Sequence, residues 1–177
     1  MPQYFRQLDL PNGPRMCFTS AAAMSAAFHR KVETQEEYNV VRSDFGDTSS
    51  VQAQVAALES LGLSVQFTQT ADAEDVMEAI DAGIPVMVGW LHRGPASAPT
   101  CGANSCGHWS LIYGYSGRYT SDASWLMSDP AGVPDLERGG HNQALSGQRV
   151  SVRQAEFHSR WQVEGPHSGW AMFVEAK

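Results

Sequence analysis

The sequence predicts an α+β fold in which a helical half packs on an antiparallel β-sheet. Helix-start signals recur through the first part of the chain and alternating strand patterns gather in the second. Between them, residues 84–91 are apolar on both faces, as a central strand is. With 177 residues, 42% hydrophobic and 10% aromatic, the chain can bury one sizeable core and is expected to form a single domain over 1–177.

The elements follow in order. Asn12-Gly13-Pro14 punctuates the backbone, so a helix starts just after residue 16 and runs to about His29 or Arg30. Cys17, Ala21, Met24 and Phe28 fall at four-three-four spacing, one buried stripe of that helix, with Cys17 in its first turn. Thr34 with Glu37 has capping-box spacing before a short helix, and Ser49 with Gln52 repeats the signal before a helix that Gly62 closes. Residues 63–68 alternate as a strand, then Asp72 opens an acidic-first helix that ends at Gly83. Pro85 is tolerated at the beginning of the central strand. Residues 107–115 alternate, with Trp109, Leu111, Tyr113 and Tyr115 on one face and His108, Ser110, Ile112 and Gly114 on the other. A short strand at 124–127 runs into Asp129, just before a turn set by Pro130 and Gly132. A strand at 148–153, an amphipathic piece around 155–161 and a strand at 170–174 complete the domain.

Chemistry gathers at Cys17, His108 and Asp129. A thiol at a helix N-terminus meets unpaired N–H groups and the positive end of the helix dipole, both of which favour the thiolate. If the strands at 107–115 and 124–127 pair as a hairpin, Asp129 comes alongside His108. A carboxylate there holds one imidazole nitrogen while the other takes the thiol proton. Taken singly, each residue also suits a plainer role: Cys17 as a small core residue, His108 as a strand-edge histidine, Asp129 as a turn aspartate. As an ordered set they point to a nucleophile, its base and an orienting acid.

Gln7, Cys17 at a helix start, the apolar Gly83–Val88 run before Gly107-His108-Trp109, and then Asp129-Pro130 follow one another in a familiar order. Over nearly its whole length the chain resembles the papain-like cysteine peptidases, in particular the branch related to bacteriocin-leader-processing peptidase domains. The resemblance implies a papain-like fold with Cys17 as nucleophile, His108 as general base and Asp129 as orienting residue. It also implies that Gln7 helps to form an oxyanion hole with the Cys17 backbone N–H. Relatives commonly carry glycine directly after the cysteine. Phe18 in that place predicts a crowded or reshaped pocket, and with it a contrasting class, the catalytically inactive papain-like structural or binding module.

The net charge of −7 and the lack of clustered Lys and Arg argue against nucleic acid as a partner. Without a His-Glu-x-x-His pattern or a phosphate-binding glycine loop, neither a metal nor a cofactor is expected. No apolar run approaches the roughly 20 residues of a membrane span, and residues 1–6 are not a secretory signal, so a soluble chain is expected. If Gln7 and Cys17 are catalytic, no inhibitory pro-segment is expected ahead of them. Cys101 and Cys106 bracket four residues ahead of His108, and a disulfide between them is expected, hinting at work outside the cytoplasm. A metal site using these cysteines with His92 or His108 lacks a second pair at zinc-ligand spacing, and two reduced thiols are the third reading.

The activity this implies is hydrolysis of peptide (amide) bonds through a thiol acyl-enzyme. Its expected setting is a phage lysin or virion-associated endopeptidase acting on peptidoglycan stem peptides, with a virion or other assembly as partner. Leader-peptide processing and transpeptidation use the same residues and stand beside it.

Overall fold

A computed structural model describes residues 1–100, 107–118 and 120–177. Short 3-10 turns at Gln7–Asp9 and Gly13–Arg15 lead into helix α1 (Cys17–Phe28), followed by α2 (Gln35–Ser43) and α3 (Val51–Ser60). Then come strand β1 (Leu63–Ala71), helix α4 (Ala73–Asp81), and strands β2 (Val86–Trp90), β3 (His108–Ser116) and β4 (Ser124–Ser128). The chain ends with β5 (Val133–Pro134), β6 (His141–Asn142), β7 (Val150–Arg153), α5 (Gln154–Trp161) and β8 (Gly169–Ala176). Six strands form one antiparallel sheet in the order β1-β8-β2-β3-β4-β7, while β5 and β6 pair as a separate ribbon.

Helix α1 starts and stops where the sequence places it, but it is buried on every side and not along one stripe. Residues 18–26 are all enclosed, whereas Cys17 and Phe28, the ends of the expected stripe, are half-buried. Small residues make this possible, since Ala21, Ala22, Ala23 and Ala26 let neighbours approach closely. Thr19 and Ser20 find side-chain partners, while the buried Ser25 hydroxyl has none among the described residues. Ser20 Oγ donates to Gln35 Oε1 at 2.9 Å, Thr19 and Thr48 share a 2.7 Å hydroxyl contact, and Gln54 Nε2 donates to Thr19 at 3.0 Å.

The expected caps at Thr34 and Asp72 are both present as reciprocal capping boxes. The third lies one residue along: Ser50, not Ser49, receives the Ala53 N–H, because Ser49 is held by Asp47 through both its N–H and its hydroxyl. Strand β1 runs three residues past its expected end, to Ala71.

Helices cover both faces of the sheet. Against one face pack α1, α2 and α3, with Met24, Tyr38, Leu58, Trp109 and Leu111 in the core; against the other pack α4 and α5, with Val76, Phe157, Trp161 and Ile112. Strand β2 sends Met87 to the first core and Val86 and Val88 to the second, which explains its apolar run. The strict alternation expected along β3 fails at its far end. The register of β3 against β4 shifts between Ile112 and Gly114, and Tyr115 packs with the Ile112 core, opposite to Trp109 and Leu111. An irregularity of one residue exchanges the faces of everything beyond it.

The expected Cys101–Cys106 disulfide lies outside the described residues. Among those described, no helix is long and apolar enough to cross a membrane.

Candidate active site

An open cleft of about 900 Å³ lies where the start of α1 meets the start of β3, and Gln7, Cys17, His92, His108 and His141 line it. The turn Gly13–Arg15 delivers Cys17 to the first position of α1, where it is half-buried. His108 opens β3 at 3% exposure, and antiparallel pairing of β3 with β4 carries the chain to fully buried Asp129. His108 Nε2 contacts the Asp129 carboxylate at 2.9 and 3.0 Å. That leaves Nδ1 for Cys17, and the thiol and imidazole are near enough to shift each other's titration. The structure thus brings together Cys17, His108 and Asp129, the three residues singled out from the sequence.

The electrostatics favour a charged pair. Burial alone would raise the Cys17 thiol, but the charge of His108, its hydrogen bond and the Trp109 backbone N–H together hold the thiol below its ordinary value. Burial would likewise lower His108, yet the charges of Asp129 and Cys17 raise it to about 10. Asp129 is driven well below the usual carboxylate range: its burial is outweighed by His108, by His141 and by the hydrogen bonds of both. A thiolate beside an imidazolium, oriented by a buried carboxylate, can attack a carbonyl carbon and then protonate the leaving amine.

Gln7 is buried beside the cleft, its Nε2 donating to the Gly13 carbonyl at 3.0 Å. The second Nε2 hydrogen is not used by that bond. The Gln7 backbone N–H donates to Pro130 O at 2.9 Å, so the segment carrying Gln7 is tied to the turn carrying Asp129. Tyr4 strengthens the tie: its hydroxyl donates to Asp129 O and accepts from Gly147 N, both at 3.1 Å. Gly147 must be glycine, because a Cβ there would stand 1.9 Å from Asp129 O.

Phe18 does not fill the cleft. It is 2% exposed and lies flat on Trp109, ring centres 3.9 Å apart, so its bulk goes into the core wall. Phe18 and Trp109 both line the cleft, so the residue after the cysteine shapes its wall.

Sequence reasoning missed the shell around Asp129. Ser110 Oγ donates to Oδ2 at 2.8 Å while accepting from Trp90 Nε1 at 2.9 Å, and Ala131 N–H donates to Oδ1 at 2.8 Å. His141 Nε2 stands 3.3 Å from Oδ2. Alternation put Ser110 on the His108 face, a signal that was available, whereas nothing local marks His141, in a ribbon of two-residue strands. His108, Asp129 and His141 offer ligand atoms within 4.8 Å of one another, the spacing a metal ion would need. The imidazole–carboxylate hydrogen bonds already account for that proximity.

A helix-borne thiol and a strand-borne imidazole on a buried carboxylate, framed by helices and an antiparallel sheet, define the class of papain-like cysteine peptidases. The chain belongs to the Peptidase_C39 like family, whose model matches residues 3–166. Among solved structures, a putative C39-like peptidase from Bacillus anthracis aligns at 13% identity over 99% of this chain and 95% of that one, with a TM-score of 0.64. A double glycine motif protease from an AMS/PCAT transporter, solved with its leader peptide, aligns at 16% identity over 100% and 93%, TM-score 0.59. The peptidase domain of Streptococcus ComA, a bi-functional ABC transporter involved in a quorum-sensing pathway, aligns at 14% identity over 93% of each chain, TM-score 0.58. A search of curated protein sequences found no match.

Proposed function

We propose that this chain hydrolyses peptide bonds through a Cys17 acyl-enzyme, with His108 as general base and acid and Asp129 as the residue that orients it. The observation that carries this is His108 itself, hydrogen-bonded to Asp129 through Nε2 and electrostatically coupled to Cys17 in the same cleft. Cys17, held as thiolate, attacks the carbonyl carbon; the oxyanion meets the Cys17 N–H and the free Nε2 hydrogen of Gln7. The His108 imidazolium gives its proton to the departing amine, then takes one from the water that releases the acid. Atoms and charge balance, and no cofactor is required for either half.

The substrate class we favour is a leader-type peptide cut after small residues, in keeping with the double glycine motif protease that shares this fold. The test incubates the chain with double-glycine leader peptides and, separately, with peptidoglycan sacculi, and reads new amino termini by mass spectrometry. Cleavage of the leader peptides, lost in Cys17→Ala, is the expected result. Release of stem-peptide fragments alone moves the substrate to peptidoglycan. Cleavage that survives Cys17→Ala overturns the nucleophile.

A further inference from the structure

A catalytic carboxylate needs one imidazole, and Asp129 has two. Its Oδ1 takes His108 and the Ala131 N–H, and its Oδ2 takes Ser110, His108 and, at 3.3 Å, His141 Nε2. The His141 side chain is 4% exposed, and its ring centre lies 4.4 Å from that of His108. It forms part of the wall between the buried carboxylate and the cleft.

The mount that holds His141 is stiff. In the β5–β6 ribbon His141 pairs with Pro134, and the preceding Gly140 N–H donates to His92 O at 2.6 Å. A Cβ at Gly139 would stand 2.4 Å from Gly94 O, so ribbon and 92–94 loop are in backbone contact. Fully buried Arg160 pins both, donating to the carbonyls of Leu91, Arg93 and Gly94 on the loop and of Leu136 in the ribbon turn. A side chain so mounted keeps its place while His108 changes charge.

We propose that His141 is a positioning residue, a neutral imidazole that donates its Nε2 hydrogen to Asp129 Oδ2 and shuts water away from the carboxylate. This rests on the cysteine-peptidase reading of the same site. The groups facing His141 are Asp129, His108, His92 and Arg93, with the Trp90 ring 5.7 Å away. Burial holds His141 below the ordinary histidine value; the pull of Asp129 opposes this and the charge of His108 adds to it. His92 is neutral too, lowered to about 3 by burial and by the charge of His108. Neutrality matters, because a second cation here would compete with His108 for Asp129, whereas a neutral N–H orients the carboxylate and leaves its charge to act on His108. Removing the ring admits water beside Asp129, and a screened carboxylate holds the imidazolium less strongly.

The test is the pH dependence of Cys17 alkylation by iodoacetamide, read on the Cys17 peptide by mass spectrometry. In the unaltered chain two steps are expected, one as the thiolate–imidazolium pair forms and one as His108 loses its proton. In His141→Ala the upper step should fall by roughly one pH unit, a tenfold loss of proton affinity. His141→Gln, which keeps an N–H donor, should restore most of it. Unmoved steps in His141→Ala, even with a lowered melting temperature, would reduce His141 to packing and overturn the proposal. Should that variant not fold, 15N spectra of the histidines in the unaltered chain decide the matter. A neutral His141 protonated on Nε2 near pH 7 is expected, and an imidazolium there refutes it. A single ordinary thiol step in the unaltered chain would instead sink the peptidase reading, so the two failures are distinct.

Discussion

Phe18 and Trp109 lie face to face, their ring centres 3.9 Å apart and their planes within 4°. Cys17 immediately precedes one ring and His108 the other, so this contact couples the start of α1 to the start of β3. It sets where the thiol stands relative to the imidazole. The apolar area that the two rings bury against each other holds the contact in place.

Phe18→Ala should therefore act twice. Removing a fully packed ring costs about 3–5 kcal/mol, measurable by urea unfolding. The slackened helix start should also slow alkylation of Cys17 at mildly acidic pH. A variant that unfolds more easily yet alkylates at the original rate would separate the stacking from the site.

Peptidase activity should follow a bell in pH. Cys17 is lowered and His108 raised, so the pair exists from the pH where the thiol loses its proton up to the pH where the imidazolium does. Activity should rise on the acid side below the free-thiol value of about 8.5 and fall only on the alkaline side, toward 10. Both limbs belong to the coupled pair and to neither residue alone. A profile of kcat/KM that only begins to rise near pH 8 would exclude the preformed pair.

Asp129→Asn keeps the shape and removes the charge. The alkaline limb should move down, since the carboxylate's charge is what offsets the burial of His108. Turnover should fall roughly tenfold to a hundredfold, less than loss of the base itself, which is worth about 10²–10⁴.

Gly147→Ala tests the same carboxylate without touching the cleft. Its Cβ would overlap the Asp129 carbonyl, so the turn must shift. Loss of activity with Cys17, His108 and Asp129 all intact is expected, accompanied by a lowered melting temperature. Full activity would mean that the turn carrying Asp129 tolerates displacement.

Gln7→Ala removes the side-chain donor proposed for the oxyanion. A loss of about 10²–10³ in kcat is expected, with KM little changed, because the donor acts on charge that appears only in the transition state. Cys17 alkylation should be nearly unaffected, as that reaction forms no oxyanion.

Much of this protein was legible in its sequence because local rules decide it. Helix starts at Thr34 and Asp72 answer to side chains three residues apart, Gly62 and Gly83 sit at positive φ where helices end, and Pro130 stops β4 beside Asp129. Cys17, His108 and Asp129 stand out as candidates in the sequence because a helix start, a strand start and a strand end are places that sequence patterns mark. What pairs with what across the chain is a different matter. That β8, last in the chain, inserts between β1 and β2, that α4 and α5 cover the face opposite α1, and that Tyr115 changes face beyond an irregularity in β3 all depend on long-range pairing. The orientation of Phe18 toward Trp109 and the arrival of His141 at Asp129 depend on it too, for a two-residue ribbon has no periodicity of its own to read. Sequence patterns determine which backbone conformation each segment prefers. Only the tertiary structure decides which buried groups meet, because that choice is made by packing and by the need to find partners for buried polar groups such as the Asp129 carboxylate.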